Sequence, residues 1–221
     1  MVTNERPAWA KRVLGDAGAE RIEAAIASAE SHTSGEIIPI LVHRSSTVGH
    51  VFLLGFSLLL LCTFLVDLPT RGFVELGGPL WAWQAASWLL AGGLALILQR
   101  FDVVQRLLTP RIDQMEQVDR RAQIEFYELG VSQTRDRTGI LLFVSLMEHR
   151  AVVLADRSIA EKVDAAVWQE LVDLMIDGVK GGNLAEGMAQ AIERCGEILL
   201  PHFPISPDDA NELNDHLVVK E

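Results

Sequence analysis

The sequence predicts an α/β protein that carries a pair of long apolar helices, and three observations lead to that class. Residues 36–42, EIIPILV, form a continuous apolar run of strand length, the pattern of a strand covered on both faces. Residues 139–146, GILLFVSL, and 150–156, RAVVLAD, are two further apolar runs separated by MEH, which predicts a tight β-hairpin. Between these, residues 51–66 and 79–98 contain no charged side chain and approach the length that crosses a bilayer.

Each element can be justified in chain order. In residues 17–30, AGAERIEAAIASAE, Ile22, Ala25, Ile26 and Ala29 recur at helical spacing, with Glu20, Arg21 and Glu23 on other faces, so an amphipathic helix is expected. It stops at SHTSG, where the first strand begins. Pro39 cannot donate to a ladder and argues for an edge position.

Residues 51–66 reach only roughly 24 Å at 1.5 Å per residue, so this span is expected to recruit residues 47–50 or 67–69 at the interface. The second stretch, PLWAWQAASWLLAGGLALIL, bunches Trp81, Trp83 and Trp88 toward one end, as in an interfacial aromatic belt. The alternative is two buried helices of a soluble bundle. With the short linker DLPTRGFVELGG the pair is expected to form a transmembrane hairpin, 51–67 and 79–98, with both ends on one side. Ser87, Ala91 and Ala95 repeat every four positions and are expected to pack against Gly55 of the first helix.

Residues 101–134 form a polar-faced helical region interrupted at Pro110. After the β-hairpin, helical patterns run over 159–178 and 184–200. GGN at 181–183 is the stop of one helix and the start of the next. The end, PHFPISPDDANELNDHLVVKE, is acidic and punctuated by proline, which predicts a flexible tail over 204–221.

Composition narrows the function. The chain has 221 residues, 49% hydrophobic and 22% charged, with a mean hydropathy of +0.23. That is too apolar for an ordinary soluble domain and too charged for a multi-span transporter. Of the formal net charge of −11, residues 100–221 carry −9. An acidic surface repels phosphate backbones, so nucleic acid is not an expected partner. Cys62 and Cys195 lie far apart without ligand spacing, which predicts two buried thiols rather than a disulfide or zinc. The N-terminus has no apolar core of a secretory signal, so the chain is expected to keep its first helix.

No P-loop, GxSxG, HExxH, CxxC or dinucleotide fingerprint occurs, so no recognised catalytic mechanism is encoded. The six histidines are scattered, with no i, i+4 ligand pair.

Taken together, ERIEAAIASAESHTSGEIIPILV, TRDRTGILLFVSLMEHRAVVLADRSI and GNLAEGMAQAIERCGEILLP resemble the TPM domain family over residues 17–203. The Ser34-Gly35-Glu36 junction, the Gly139-led strand with its return strand, and the late Gly-rich helix start carry the resemblance. It implies an α/β/α sandwich, interrupted here by the two-helix transmembrane hairpin. The sandwich would then comprise residues 1–50 and 100–203, as in a membrane-integral branch of the family. Members often carry Asp-Asn before the glycine of the second strand, where proposals of divalent-cation binding and phosphatase activity lean on acidic groups. Arg137 and Thr138 stand there in this chain. Arginine brings positive charge where a cation needs carboxylate oxygens.

These readings favour a non-enzymatic accessory or maintenance factor that binds other membrane proteins. The alternative is a membrane-tethered, metal-dependent phosphatase with a divalent cation held by Glu36, Asp136 and Asp156. If the strands at 36 and 139 run parallel, Glu36, Asp136, Arg137, Asp156 and Arg157 converge at one sheet end as an interaction cluster. A channel would need a homo-oligomer, since one hairpin offers only Ser57, Thr63, Gln84 and Ser87 as polar groups. Arg44, Arg100, Arg106 and Arg111 flank the hairpin against Arg71 in its turn, which predicts a domain facing the cytoplasm from a plasma or bacterial inner membrane.

Overall fold

A computed structural model describes residues 6–46, 49–70, 80–205, 212–213 and 216–220. Its elements in chain order are α1 (Ala8–Glu30), β1 (Glu36–Val42), α2 (Gly49–Thr70), α3 (Leu80–Leu98), α4 (Asp102–Leu108), α5 (Arg111–Glu128), a 3-10 turn (Val131–Gln133), β2 (Gly139–Ser145), β3 (Arg150–Ala155), α6 (Arg157–Ala160), α7 (Ala165–Gly181), α8 (Leu184–Leu199) and β4 (Val218–Lys220). They fall into two compact units, residues 1–45 with 115–221 and residues 46–114.

The first unit is a mixed α/β fold built on a four-stranded sheet of order β3-β2-β1-β4. β1 runs parallel to β2 and to β4, and β2 pairs antiparallel with β3. β1 and β2 are buried along their whole length, which is why their sequences are continuously apolar rather than alternating. On one face Ile37, Leu41, Ile140, Leu142 and Val144 pack with Ile22 and Ile26 of α1, Leu171 and Met175 of α7, and Met188 and Ile192 of α8. On the other, Ile38, Ile40, Val42, Leu141 and Phe143 pack with Val118, Ala122 and Phe126 of α5. Helices thus cover both faces of the sheet.

Three expectations need correction here. Pro39 does not mark an edge strand, because β1 lies between β2 and β4. The N–H of Glu36 points to Thr138 of the β2 side while that of Ile37 points away, to the Glu30 carboxylate at 2.8 Å. By alternation the nitrogen of Pro39 faces the β4 side. There β4 pairs only from Ile40 onward, so no ladder bond is forfeited. The tail is not wholly loose either, because Val218–Lys220 pair with Ile40–Val42 as a fourth strand. Its short run of two valines lies too close to acidic residues to signal a strand. Finally, the helix expected from 159 splits into α6 and α7, with Asp164 capping α7 through the N–H of Ala166 at 2.9 Å.

Gly182 stops α7 in the left-handed conformation, φ 72°, with its N–H returned to Gly178 and Val179, a geometry that favours glycine. Asn183 makes no side-chain cap to α8.

The second unit holds α2, α3 and α4. Among the described residues no single helix is long and apolar enough to cross a membrane, whereas α3 and α4 meet that test together across a bend of 104°. The expected spans, 51–67 and 79–98, therefore do not stand as two straight crossings. Residue 47 and the turn at 71–79, with Arg71, lie outside the described residues. Within the unit α2 packs on α3, and Ala91 and Ala95 are buried, at 4% and 2% exposure. Ser87 donates its hydroxyl to the Trp83 carbonyl of its own helix at 2.8 Å. A Cβ built on Gly55 would meet Leu108 of α4 at 3.9 Å, because the bend after Leu98 turns α4 back toward α2.

Candidate functional site

Parallel pairing puts the starts of β1 and β2 at one end of the sheet, with Glu36 opposite Gly139. The antiparallel return of β3 brings Asp156 to the same end, where its N–H donates to the Gly139 carbonyl at 2.9 Å. Glu36, Gly139 and Asp156 thus stand in one row across three strands. Asp136 and Arg137 precede β2 and Arg157 follows Asp156, so the five candidate residues share this rim.

The rim does not merge the carboxylates. Two strand spacings separate Glu36 from Asp156, roughly 10 Å. The position between them is closed, because a Cβ on Gly139 would stand 2.2 Å from the Val131 carbonyl oxygen. Only glycine admits that backbone approach. Glu36 is buried at 8% exposure and turns toward the C-terminal segment. Its two oxygens accept from the N–H groups of Glu212 and Leu213, each at 3.2 Å. One Asp156 oxygen caps α6 through the N–H of Arg157 at 2.6 Å. Its other oxygen is buried and has no hydrogen-bond partner among the described residues. The Asp136 side chain is exposed, while its backbone carbonyl accepts from Ser158 at 3.0 Å. Among the described residues no group of three or more His, Cys, Asp or Glu side chains could hold a metal ion.

Beside this rim opens a cleft of about 410 Å³, lined by Ser34, Asp136, Thr138, Ser158, Glu161, Lys162, His202, Phe203 and Pro204. Its floor is tied by hydrogen bonds: Thr138 donates its hydroxyl to the Ser34 carbonyl at 2.9 Å, and Thr33 donates to the Phe203 carbonyl at 2.6 Å. Thr33 and Pro204 also form an isolated antiparallel bridge. Lys162 lies over the Phe203 ring, 4.2 Å from its centre, a cation–π contact that fixes the ammonium at the cleft wall. Arg157 pairs with Glu161 at 2.8 Å, and the carboxylate raises its pKa further. The cleft therefore carries both signs of charge, while the Thr138 and Ser158 hydroxyls on its walls donate to backbone carbonyls of the protein itself.

Asp136 is the one expected site residue that lines this cleft. Glu161, Lys162, His202 and Phe203 were not legible as site residues, since they come from two distant segments joined only by tertiary packing.

Residues 103–198 match the TPM domain. The matched family is TPM_phosphatase, described as the TPM domain; the match runs from α4 through α8 and does not include the Ser34-Gly35-Glu36 junction. The chain is also similar in fold to the NMR structure of the BA42 protein from the psychrophilic bacterium Bizionia argentinensis, with a TM-score of 0.58. That likeness covers 94% of this chain and 95% of that one at 20% identity. No curated protein matches the chain. Where TPM domains often carry Asp-Asn, Arg137 adopts a left-handed backbone, φ 54°, a conformation that suits Asn or Asp better than Arg.

Proposed function

We propose that the chain is a membrane-integral protein whose TPM domain faces the cytoplasm and binds other membrane proteins without chemistry of its own. One observation carries the membrane part: unit 46–114 has its polarity reversed. Its large apolar side chains point outward, with Leu89 and Leu90 exposed at 78% and 74% and Leu53, Leu58, Leu61, Trp88 and Ile97 above half, whereas small Ala91 and Ala95 are buried. Helices that meet lipid pack through small residues and expose large ones. The apolar part of α2, Gly49–Leu65, reaches about 25 Å at 1.5 Å per residue, a shortfall that a bilayer accommodates by local thinning.

The binding part is supported by how the rim carboxylates are used. Glu36 holds the C-terminal segment and Asp156 caps a helix, while the open cleft beside them presents both charge signs to a polypeptide. Arginines flanking the hairpin favour the cytoplasmic orientation.

The test has two arms. Carbonate washing of membranes should leave the chain in the pellet, and alkaline phosphatase fused after Glu221 should be silent. Cross-linked partners recovered with the wild type should be lost in Asp136→Lys/Lys162→Glu; equal recovery would remove the cleft from the reading.

A phosphatase remains the second reading, favoured by the buried, unpartnered Asp156 oxygen and by the family's label. Cation-dependent turnover by purified protein that vanishes in Glu36→Ala/Asp136→Ala/Asp156→Ala would establish it.

A further inference from the structure

At the α3–α4 corner the pattern of polarity is inside out. Gln105 is buried at 6% exposure and donates its amide to the Gln99 carbonyl at 2.6 Å. Thr109 donates its hydroxyl to the Gln105 carbonyl at 2.8 Å. Gln114 donates to the carbonyls of Arg106 and Thr109 at 2.8 and 2.7 Å. The carbonyls of Gln99, Arg106 and Thr109 are thus satisfied by the chain's own side chains, that of Gln105 also accepts from the Thr109 N–H at 3.0 Å, and the Gln105 Oε1 is buried without a partner among the described residues.

The outside of the corner is apolar. Val103 and Leu107, one helical turn apart, are exposed at 68% and 82%, and Phe101 and Ile112 on either side at 56% and 76%. Before the bend, Leu94, Leu96 and Ile97 of α3 are exposed as well. Arg100, Arg106 and Arg111 punctuate it in a chain of net charge −11. The accompanying carboxylates, Asp102 and Asp113, sit in the first turns of α4 and α5, where helix N-terminal amides favour negative charge.

An apolar stripe with arginines along it, turned 104° from the helix before it, has the chemistry of a helix lying in a membrane interface. We infer that α4 lies along the membrane surface and that Arg100, Arg106 and Arg111 bind the phosphates of anionic lipid headgroups. This rests on the reading that unit 46–114 is membrane-embedded. Guanidinium groups suit phosphate geometry, and each arginine near the surface adds roughly fivefold to the preference for anionic lipid.

The test uses the full chain in vesicles of phosphatidylcholine, with or without phosphatidylglycerol. A nitroxide is placed by Leu107→Cys in a Cys62→Ala background, where Cys195 is buried, and a second by Asp173→Cys on the exposed surface of the TPM domain. The probe at 107 should be reached by oxygen and shielded from a water-soluble nickel complex, unlike the probe at 173. Spin-labelled phosphatidylglycerol should be preferred over phosphatidylcholine, and the Arg100→Gln/Arg106→Gln/Arg111→Gln variant should lose that preference. A probe at 107 as wet as that at 173, in protein that carbonate does not extract, overturns the inference and leaves the membrane reading standing. A probe shielded from both quenchers means that protein covers α4, which also overturns it. An unchanged lipid preference in the triple variant removes the arginines, and release by carbonate overturns the membrane reading with it.

Discussion

The carboxylate of Glu36 receives the backbone N–H groups of Glu212 and Leu213, each at 3.2 Å, so the first residue of the first strand holds the C-terminal segment to the sheet. Glu36→Ala is expected to cost about 2 kcal/mol, the scale of hydrogen bonds to a charged acceptor. The amides of 212 and 213 should lose hydrogen-exchange protection, and Glu36→Gln, which keeps one acceptor oxygen, should lie between. A Glu36 that served chiefly as a cation ligand would leave those amides indifferent to both changes unless a divalent ion were added.

The same segment is held a second time. Lys220 of β4 pairs with Glu125 and Glu128 of α5, and Glu125, buried at 1% side-chain exposure, also receives Arg121 at 2.8 Å. Breaking a fully buried pair costs about 3–5 kcal/mol. Lys220 is 31% exposed and Arg121 stays in place, so Lys220→Met should cost less, about 1–2 kcal/mol. Exchange of the Val218 and Val219 amides should quicken while the β1–β2 ladder stays protected; equal loosening throughout would mean that β4 is no separate unit.

These two contacts show where the sequence stopped being legible. Local pattern sufficed for β1 and β2, since strands buried on both faces are written as unbroken apolar runs, and β3, half-buried at the sheet edge, was legible from its apolar run and the short turn before it. It also sufficed for the stripe of Ile22, Ala25, Ile26 and Ala29, all buried. Pro39 misled because its meaning depends on which side of the strand its nitrogen faces, a tertiary fact. β4 was invisible because three residues carry no periodicity and its partners, Ile40 to Val42, lie at the other end of the chain. The rim could be anticipated from strand direction, yet its chemistry could not: that Glu36 would turn to two backbone amides, and Lys162 to Phe203, is settled by packing alone.

Gly139 tests the closure between Glu36 and Asp156. A methyl group there meets a backbone carbonyl at 2.2 Å, which no side-chain rotation relieves. Gly139→Ala should therefore destabilise the sheet-bearing unit by at least about 3 kcal/mol, the upper range for overpacking. Denaturant unfolding of the two proteins in parallel measures this. A loss below about 1 kcal/mol would mean that the 3-10 turn at Val131 yields easily, and the separation of the two carboxylates would then be soft as well.

Cys195 gives a pH prediction. It is fully buried in α8, and desolvation raises its thiol from 9.0 to about 12, with the Glu30 carboxylate adding to the rise. A folded-state value above the unfolded one favours the neutral thiol in the fold. The stability this contributes is complete below pH 9 and is lost as pH climbs from there toward about 12. At pH 8 a maleimide should spare Cys195 in the folded protein and label it in denaturant. Labelling of the folded chain at the unfolded rate would show that α8 opens far more readily than its packing implies.

Helix α3 makes its own prediction through two neighbouring positions. Ala91 is 4% exposed and Leu90 is 74% exposed, so a change of size should act in opposite ways at the two sites. Ala91→Leu inserts three carbons where α3 is buried and should cost about 2 kcal/mol, while Leu90→Ala removes an outward group and should stay within about 0.5 kcal/mol in detergent. On the proposed membrane reading the second change gains a cost in a bilayer, because Leu90 would there be a lipid contact. Partition of the Leu90→Ala chain between membrane and carbonate-soluble fractions should shift toward the soluble one, and further with Leu89→Ala added. If instead Ala91→Leu is silent and Leu90→Ala destabilises the protein in detergent, the large residues face protein, and the reversed polarity of this unit marks an assembly interface rather than lipid.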